Sequence, residues 1–166
     1  MSFNFRDITP VLSGDSLIEV SNGAGPSTLV KPQLVEVYQY FAAGVPSPTS
    51  QVVFIAPPIA SVATGATPLG NYRLVGVSAT FTTASTSGTL QITHDTGVSA
   101  PGSGTALLGS TVSLSGTANT VVSGVPSASV SLANQTISPG DRLSLVFAGT
   151  LTNLVNLSVS LYVARV

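Results

Sequence analysis

The sequence predicts an all-β protein, an antiparallel β-sandwich. Three observations carry this. From Leu34 onward apolar and polar residues alternate with period two, the signature of half-buried strands. The alternating runs are short and separated by Gly-, Pro- and Ser-rich turns. No stretch holds the apolar spacing of a long amphipathic helix.

The elements follow in chain order. Residues 1–33 read as an extended N-terminal arm, with one short strand near Leu17-Ile18-Glu19-Val20. The arm holds five charged residues, Arg6, Asp7, Asp15, Glu19 and Lys31, and the run Ser21-Asn22-Gly23-Ala24-Gly25. Phe3, Phe5, Ile8, Val11 and Leu12 are too apolar for a free tail, so the arm reads as lying against another surface. A terminus that adds a strand to its own domain, or stays disordered, is the other reading.

Residues 34–166 read as the sandwich. Val35, Val37 and Phe41 share one face of a first strand, and Tyr38 and Tyr40 share the other. Val52-Val53-Phe54-Ile55 reads as a buried strand ended by Pro57-Pro58. Val75, Val77, Ala79 and Phe81 alternate with Leu74, Gly76, Ser78 and Thr80. Leu90 and Ile92, Val112 and Leu114, and Val130 and Leu132 mark three further strands. Leu143, Leu145 and Phe147 mark the next, and Leu157, Val159, Leu161 and Val163 the last. A single helical turn is expected within residues 101–108. Ser138-Pro139-Gly140-Asp141 suits a type II turn, with Pro at its second position and Gly at its third. About eight short strands of this kind favour a jelly roll among the sandwiches.

Composition narrows the function. Charged residues are 7% of the 166, against roughly 25% in ordinary soluble domains. The chain is 43% hydrophobic, which argues against disorder. Five dispersed Lys and Arg cannot neutralise a phosphate track, so nucleic acid is not an expected partner. No basic amphipathic helix and no apolar run long enough for a membrane span is present, so no membrane partner is expected. The first seven residues lack a basic segment followed by an apolar one, so no secretory signal is expected. There is no Cys, which removes disulfides and thiolate metal sites.

The outward strand positions are mostly Ser, Thr and Gly. Such faces lack the Lys and Pro that usually guard sheet edges, so the chain reads as a homo-oligomer or a part of a larger assembly. Tyr38, Tyr40, Arg73 and Arg142 are the expected oligomer-interface residues. In so sparse a charge set, a bidentate contact between subunits would come from Arg73 or Arg142 on a neighbour's carboxylate, such as Asp95 or Asp141.

Catalytic chemistry finds little support. The single His, His94, stands at a strand end beside Asp95 and reads as a polar surface residue. No G-x-S-x-G, P-loop, Rossmann or H-E-x-x-H pattern occurs. Asp95-Thr96-Gly97 and Gly140-Asp141 read as turns whose carboxylates accept local N–H groups. No catalytic residue, metal or cofactor is expected.

Three stretches carry a resemblance: residues 74–90 (LVGVSATFTTASTSGTL), 95–108 (DTGVSAPGSGTALL) and 139–151 (PGDRLSLVFAGTL). They resemble the small Ser/Thr/Gly-rich β proteins of tailed-phage virions, especially head decoration (cement) and head-fibre proteins. The resemblance implies a non-enzymatic, trimeric virion protein on the outer surface of the capsid, with the major capsid protein as partner. It also implies that the arm grips the shell, which makes Phe3, Phe5, Arg6, Ile8, Val11 and Leu12 the expected capsid-binding residues. The alternative is a tail-fibre or adhesin-type receptor- or carbohydrate-binding module, in which Tyr38 and Tyr40 would form a small aromatic platform.

Overall fold

In the computed structural model, residues 18–20, 28–30, 35–55 and 70–166 are described. Two antiparallel sheets pack face to face, an all-β sandwich as the alternation predicts. The first sheet contains β3 (Val35–Ala42), β12 (Leu157–Arg165) and β5 (Tyr72–Thr80), side by side in that order. Beyond β5 lie two short strands, β9 (Val122–Gly124) and β10 (Thr136–Ile137), which pair with opposite ends of β5. The second sheet runs β4 (Ser50–Ile55), β11 (Arg142–Ala148) and β6 (Thr89–Asp95). Its far edge is again two short pieces, β7 (Thr105–Ala106) and β8 (Val112–Ser113), both on β6. Of the arm, β1 (Ile18–Val20) and β2 (Thr28–Val30) form an antiparallel pair, and the rest of residues 1–33 lies outside the described residues.

The inward residues of the two sheets make one core. β12 contributes Leu157, Val159, Leu161 and Val163, and β11 contributes Leu143, Leu145 and Phe147, all buried. Leu90 and Ile92 of β6 and Leu74, Val77 and Ala79 of β5 meet them. Every second residue is apolar because each sheet has one dry face, and a slip of one residue would expose the whole set.

Three local expectations change, and the faces of β3, left open by the sequence, are assigned. On β5 the inward residue is Leu74, while Val75 is partly exposed. The ladder explains this: Tyr162 faces Gly76 but Val163 faces Leu74, so Val75 is the extra residue of a β-bulge. The strand expected around Val130 and Leu132 is instead a short helix, α1 (Leu132–Gln135). Ser131 caps it by accepting a hydrogen bond from the Asn134 N–H, and Thr136 closes it on the Leu132 carbonyl. The helical turn expected within residues 101–108 is absent, and that stretch holds a turn followed by β7. The faces of β3 are assigned by structure as Tyr38 and Tyr40 inward, with Val35, Val37 and Phe41 exposed.

The 138–141 turn forms as expected. The Asp141 N–H donates to the Ser138 carbonyl at 2.9 Å, and Gly140 takes φ +92°, a conformation that a side chain would strain.

Candidate functional site

The two sheets present very different outer faces. On the second sheet, outward positions Thr93, Asp95 and Ser144 are buried, because residues 96–104 fold back over them. Asp95 organises that cover. Its carboxylate accepts from the Gly102 N–H at 3.0 Å, the Gly104 N–H at 2.8 Å, the Thr93 hydroxyl at 3.2 Å and the Ser144 hydroxyl at 2.5 Å. Burial alone would raise the Asp95 pKa, but these donors outweigh it and hold the carboxyl below its ordinary value. Gly104 is needed here, since a Cβ at this position would collide with the His94 carbonyl. Arg142, opposite Asp95 in the ladder, donates from Nη2 to the Ser99 carbonyl of the same loop.

At the break between β7 and β8 the Gln91 amide replaces ladder hydrogen bonds. It accepts from the Leu108 N–H at 3.0 Å and donates to the Leu108 carbonyl at 3.4 Å. This face is therefore largely satisfied by its own chain.

His94 is not on the surface. It is buried, with Nδ1 2.8 Å from the Asn134 carbonyl and Nε2 3.0 Å from Asp141. A carbonyl can only accept, so Nδ1 carries a hydrogen. With both ring nitrogens occupied, His94 ties α1 and the 138–141 turn to β6, and it has no free nitrogen for a nucleophile. The same turn supplies a further donor to Asp141, the Ser138 N–H at 2.8 Å. Among the described residues no three His, Cys, Asp or Glu side chains gather where they could hold a metal ion.

The first sheet's outer face has no such cover among the described residues. Ladder pairing places Phe41, Ser158 and Thr80 in one row, Gln39, Ser160, Ser78 and Ser123 in the next, and Val37, Tyr162 and Gly76 in the third. Val121 and Val125 lie one residue beyond each end of β9, and continuing its alternation places them on the same side as Ser123, at the ends of the first and third rows. These rows contain no charged residue. They put apolar side chains on the two flanks and hydroxyls between them. Phe41 is 65% exposed, Val121 70% and Val125 71%. The Ser78 and Tyr162 hydroxyls meet at 3.2 Å in the middle.

The expected interface residues fall in separate places. Tyr38 and Tyr40 face inward, half-buried: Tyr38 meets the Phe54 ring edge-on at 4.4 Å between centroids, and Tyr40 lies 5.9 Å from Phe147. The Tyr38 hydroxyl donates to Glu36 at 2.6 Å, and burial together with that carboxylate pushes its pKa well above the ordinary tyrosine range. Arg73 faces outward at the end of the bare sheet, one row beyond the bulge. Arg142 belongs to the loop-covered face, and both carboxylates offered to it by the sequence reading, Asp95 and Asp141, are engaged within the chain. The capsid-binding candidates Phe3, Phe5, Arg6, Ile8, Val11 and Leu12 lie outside the described residues.

The bare face was missed from sequence for a definable reason. Val35, Val37 and Phe41 look like core residues, and their strand alternates an equally apolar Tyr38 and Tyr40 on its other side. Only the sandwich decides which side is dry. The signal available was the hydroxyl run on the neighbouring strands, Ser158, Ser160 and Ser78, with which Phe41 and Val37 share a face.

No family model matches the chain, and no curated protein matches its sequence.

Proposed function

We propose that this chain is a non-enzymatic structural protein of a tailed-phage virion, a decoration (cement) protein on the outer surface of the capsid. In this reading it binds the major capsid protein through residues 1–33 and acts as a homo-oligomer, with the three-fold symmetry that the resemblance implies. The observation that carries the reading is the three charge-free rows on the outer face of the first sheet, apolar at their corners and hydroxylated between, a surface suited to being covered by protein. The mechanism is burial: each Å² of apolar surface removed from water contributes roughly 25 cal/mol before the costs of association. Repetition around a shell multiplies small contributions.

The strand order supports a jelly-roll reading of the sandwich. With β7 and β8 taken as one interrupted strand, and β9 and β10 as another, eight strands fall into two four-stranded sheets. Successive long strands β3, β4, β5 and β6 alternate between the sheets. The receptor- or carbohydrate-binding alternative asks for an exposed aromatic platform, and Tyr38 and Tyr40 are turned onto Phe54 and Phe147. A hydrolytic role asks for a free nitrogen on His94, and both are occupied.

The test is binding to emptied capsids of the source phage, read by co-sedimentation and cryo-electron microscopy. The full chain is expected to decorate the shell, and a variant lacking residues 1–20 to remain folded but unbound. Wild-type occupancy by the truncated chain would remove the gripping role of the arm, and absence of the full chain from shells would remove the decoration reading.

A further inference from the structure

The homo-oligomer in the reading above needs a contact surface, and the bare outer sheet face supplies one. We infer that this face is the subunit–subunit interface, occupied by other copies of the same chain, with the β3 flank of one copy against the β9 flank of the next. This deepens the proposed function and rests on its homo-oligomer.

Three features of the face select a second copy as the occupant. The first is charge. A partner of different chemistry is ordinarily matched by complementary charge, yet the three rows from Phe41 to Val125 carry none. A neutral face is complementary to itself. The second is pattern. Apolar flanks on β3 and β9 enclose hydroxyls on β12 and β5. A three-fold axis parallel to the strands brings the β3 flank of one copy to the β9 flank of the next and hydroxyls towards hydroxyls, so like meets like. Ser160, Ser78, Gly76 and the Tyr162 hydroxyl sit at the centre, the part of the face that turns to a three-fold axis. The third is the edge. β3 is eight residues long, lies at the sheet edge among the described residues, and contains neither Lys nor Pro. Its one charge, Glu36, accepts from Tyr38 on the inward side. Such an edge is an aggregation hazard in a free subunit, and a closed assembly removes it.

The same row holds Phe41 on one flank and Val121 on the other, which makes the inference testable by geometry. Three strand spacings, about 14 Å, separate them within one chain. A disulfide requires Cα atoms within about 7 Å, so the two cannot be joined inside a subunit. An axis along the strands preserves height along them, and so brings Phe41 of one copy beside Val121 of the next.

The chain has no Cys, so a double variant, Phe41→Cys with Val121→Cys, carries the only thiols. Under mild oxidation it is expected to form covalently linked oligomers on a non-reducing gel, while Phe41→Cys alone and Val98→Cys, an exposed loop control, stay largely uncrosslinked. Circular dichroism with wild-type melting establishes that the double variant is folded. A folded double variant that crosslinks no more than the Val98→Cys control overturns the inference. If that variant nevertheless decorates capsids, the decoration reading survives and only this interface fails. If it crosslinks but does not bind capsids, the interface stands and the decoration reading fails.

Discussion

The two outer sheet faces of this sandwich solve the same problem in opposite ways. Both sheets are low in charge and rich in hydroxyls. The second sheet covers its outer face with its own loop, pinned by a buried carboxylate that receives four hydrogen bonds. The first sheet leaves Phe41, Val121 and Val125 in solvent, with only Ser, Thr, Gln, Tyr and Gly between the flanks. The difference teaches that a scarcity of charge has two structural meanings. On one face it reflects polar groups satisfied internally, and on the other it leaves a surface whose natural partner is another protein surface.

Substitutions on the two faces should therefore act on different quantities. The largest expected effect is at Asp95. Asp95→Ala strands several buried donors at once, each costing about 1–3 kcal/mol when unsatisfied, so a loss of roughly 3 kcal/mol or more is expected in urea denaturation. That loss should not depend on the oligomer, because every partner of Asp95 is in the same chain. A loss below about 1 kcal/mol would show that the loop is not held by this carboxylate.

Ser144→Ala comes next. It removes one donor and leaves the other three, so a loss of about 1.5–3 kcal/mol is expected. The acid limb sharpens the same point. The folded Asp95 pKa lies below the unfolded value, so its contribution is present above the ordinary carboxylate range, near pH 3.9, and is lost as pH falls through the folded value. The gap between thermal melts of wild type and Asp95→Ala should narrow as pH falls below about 3.9. A constant gap down to the lowest pH at which both fold would contradict an ionised Asp95.

The smallest effect on the fold itself is expected at the bare face. Phe41→Lys changes an exposed side chain, and such changes usually alter subunit stability by no more than about 0.5 kcal/mol. Its effect should appear in association instead.

Much of the core was legible in the sequence. Leu157, Val159, Leu161 and Val163, and Leu143, Leu145 and Phe147, recur at every second position and are all buried as that period requires. The misplacements arise where local and long-range forces compete. Ser131 offers a helix cap in a segment whose Val130 and Leu132 imitate a strand. Val75 is displaced by a bulge that exists only because β12 lies beside β5. His94 reads as a surface residue until the 138–141 turn and α1, distant in sequence, close over it. Turn chemistry, by contrast, is local, and Asp141 accepts the Ser138 N–H of its own turn as its sequence context suggests, whereas Asp95 takes its backbone donors from Gly102 and Gly104, beyond the Asp95-Thr96-Gly97 turn expected for it. The bare face needed both sheets, since nothing in β3 alone tells its wet side from its dry one.

The charge scarcity of the bare face is tested most directly by mass in solution. Sedimentation equilibrium of the wild-type chain at micromolar concentration should give a multiple of the 16.6 kDa subunit. Phe41→Lys combined with Val121→Lys should return the mass towards 16.6 kDa with the circular dichroism spectrum unchanged. A wild-type mass of 16.6 kDa, or an oligomer indifferent to both lysines, would contradict the assignment of this face to other copies of the chain.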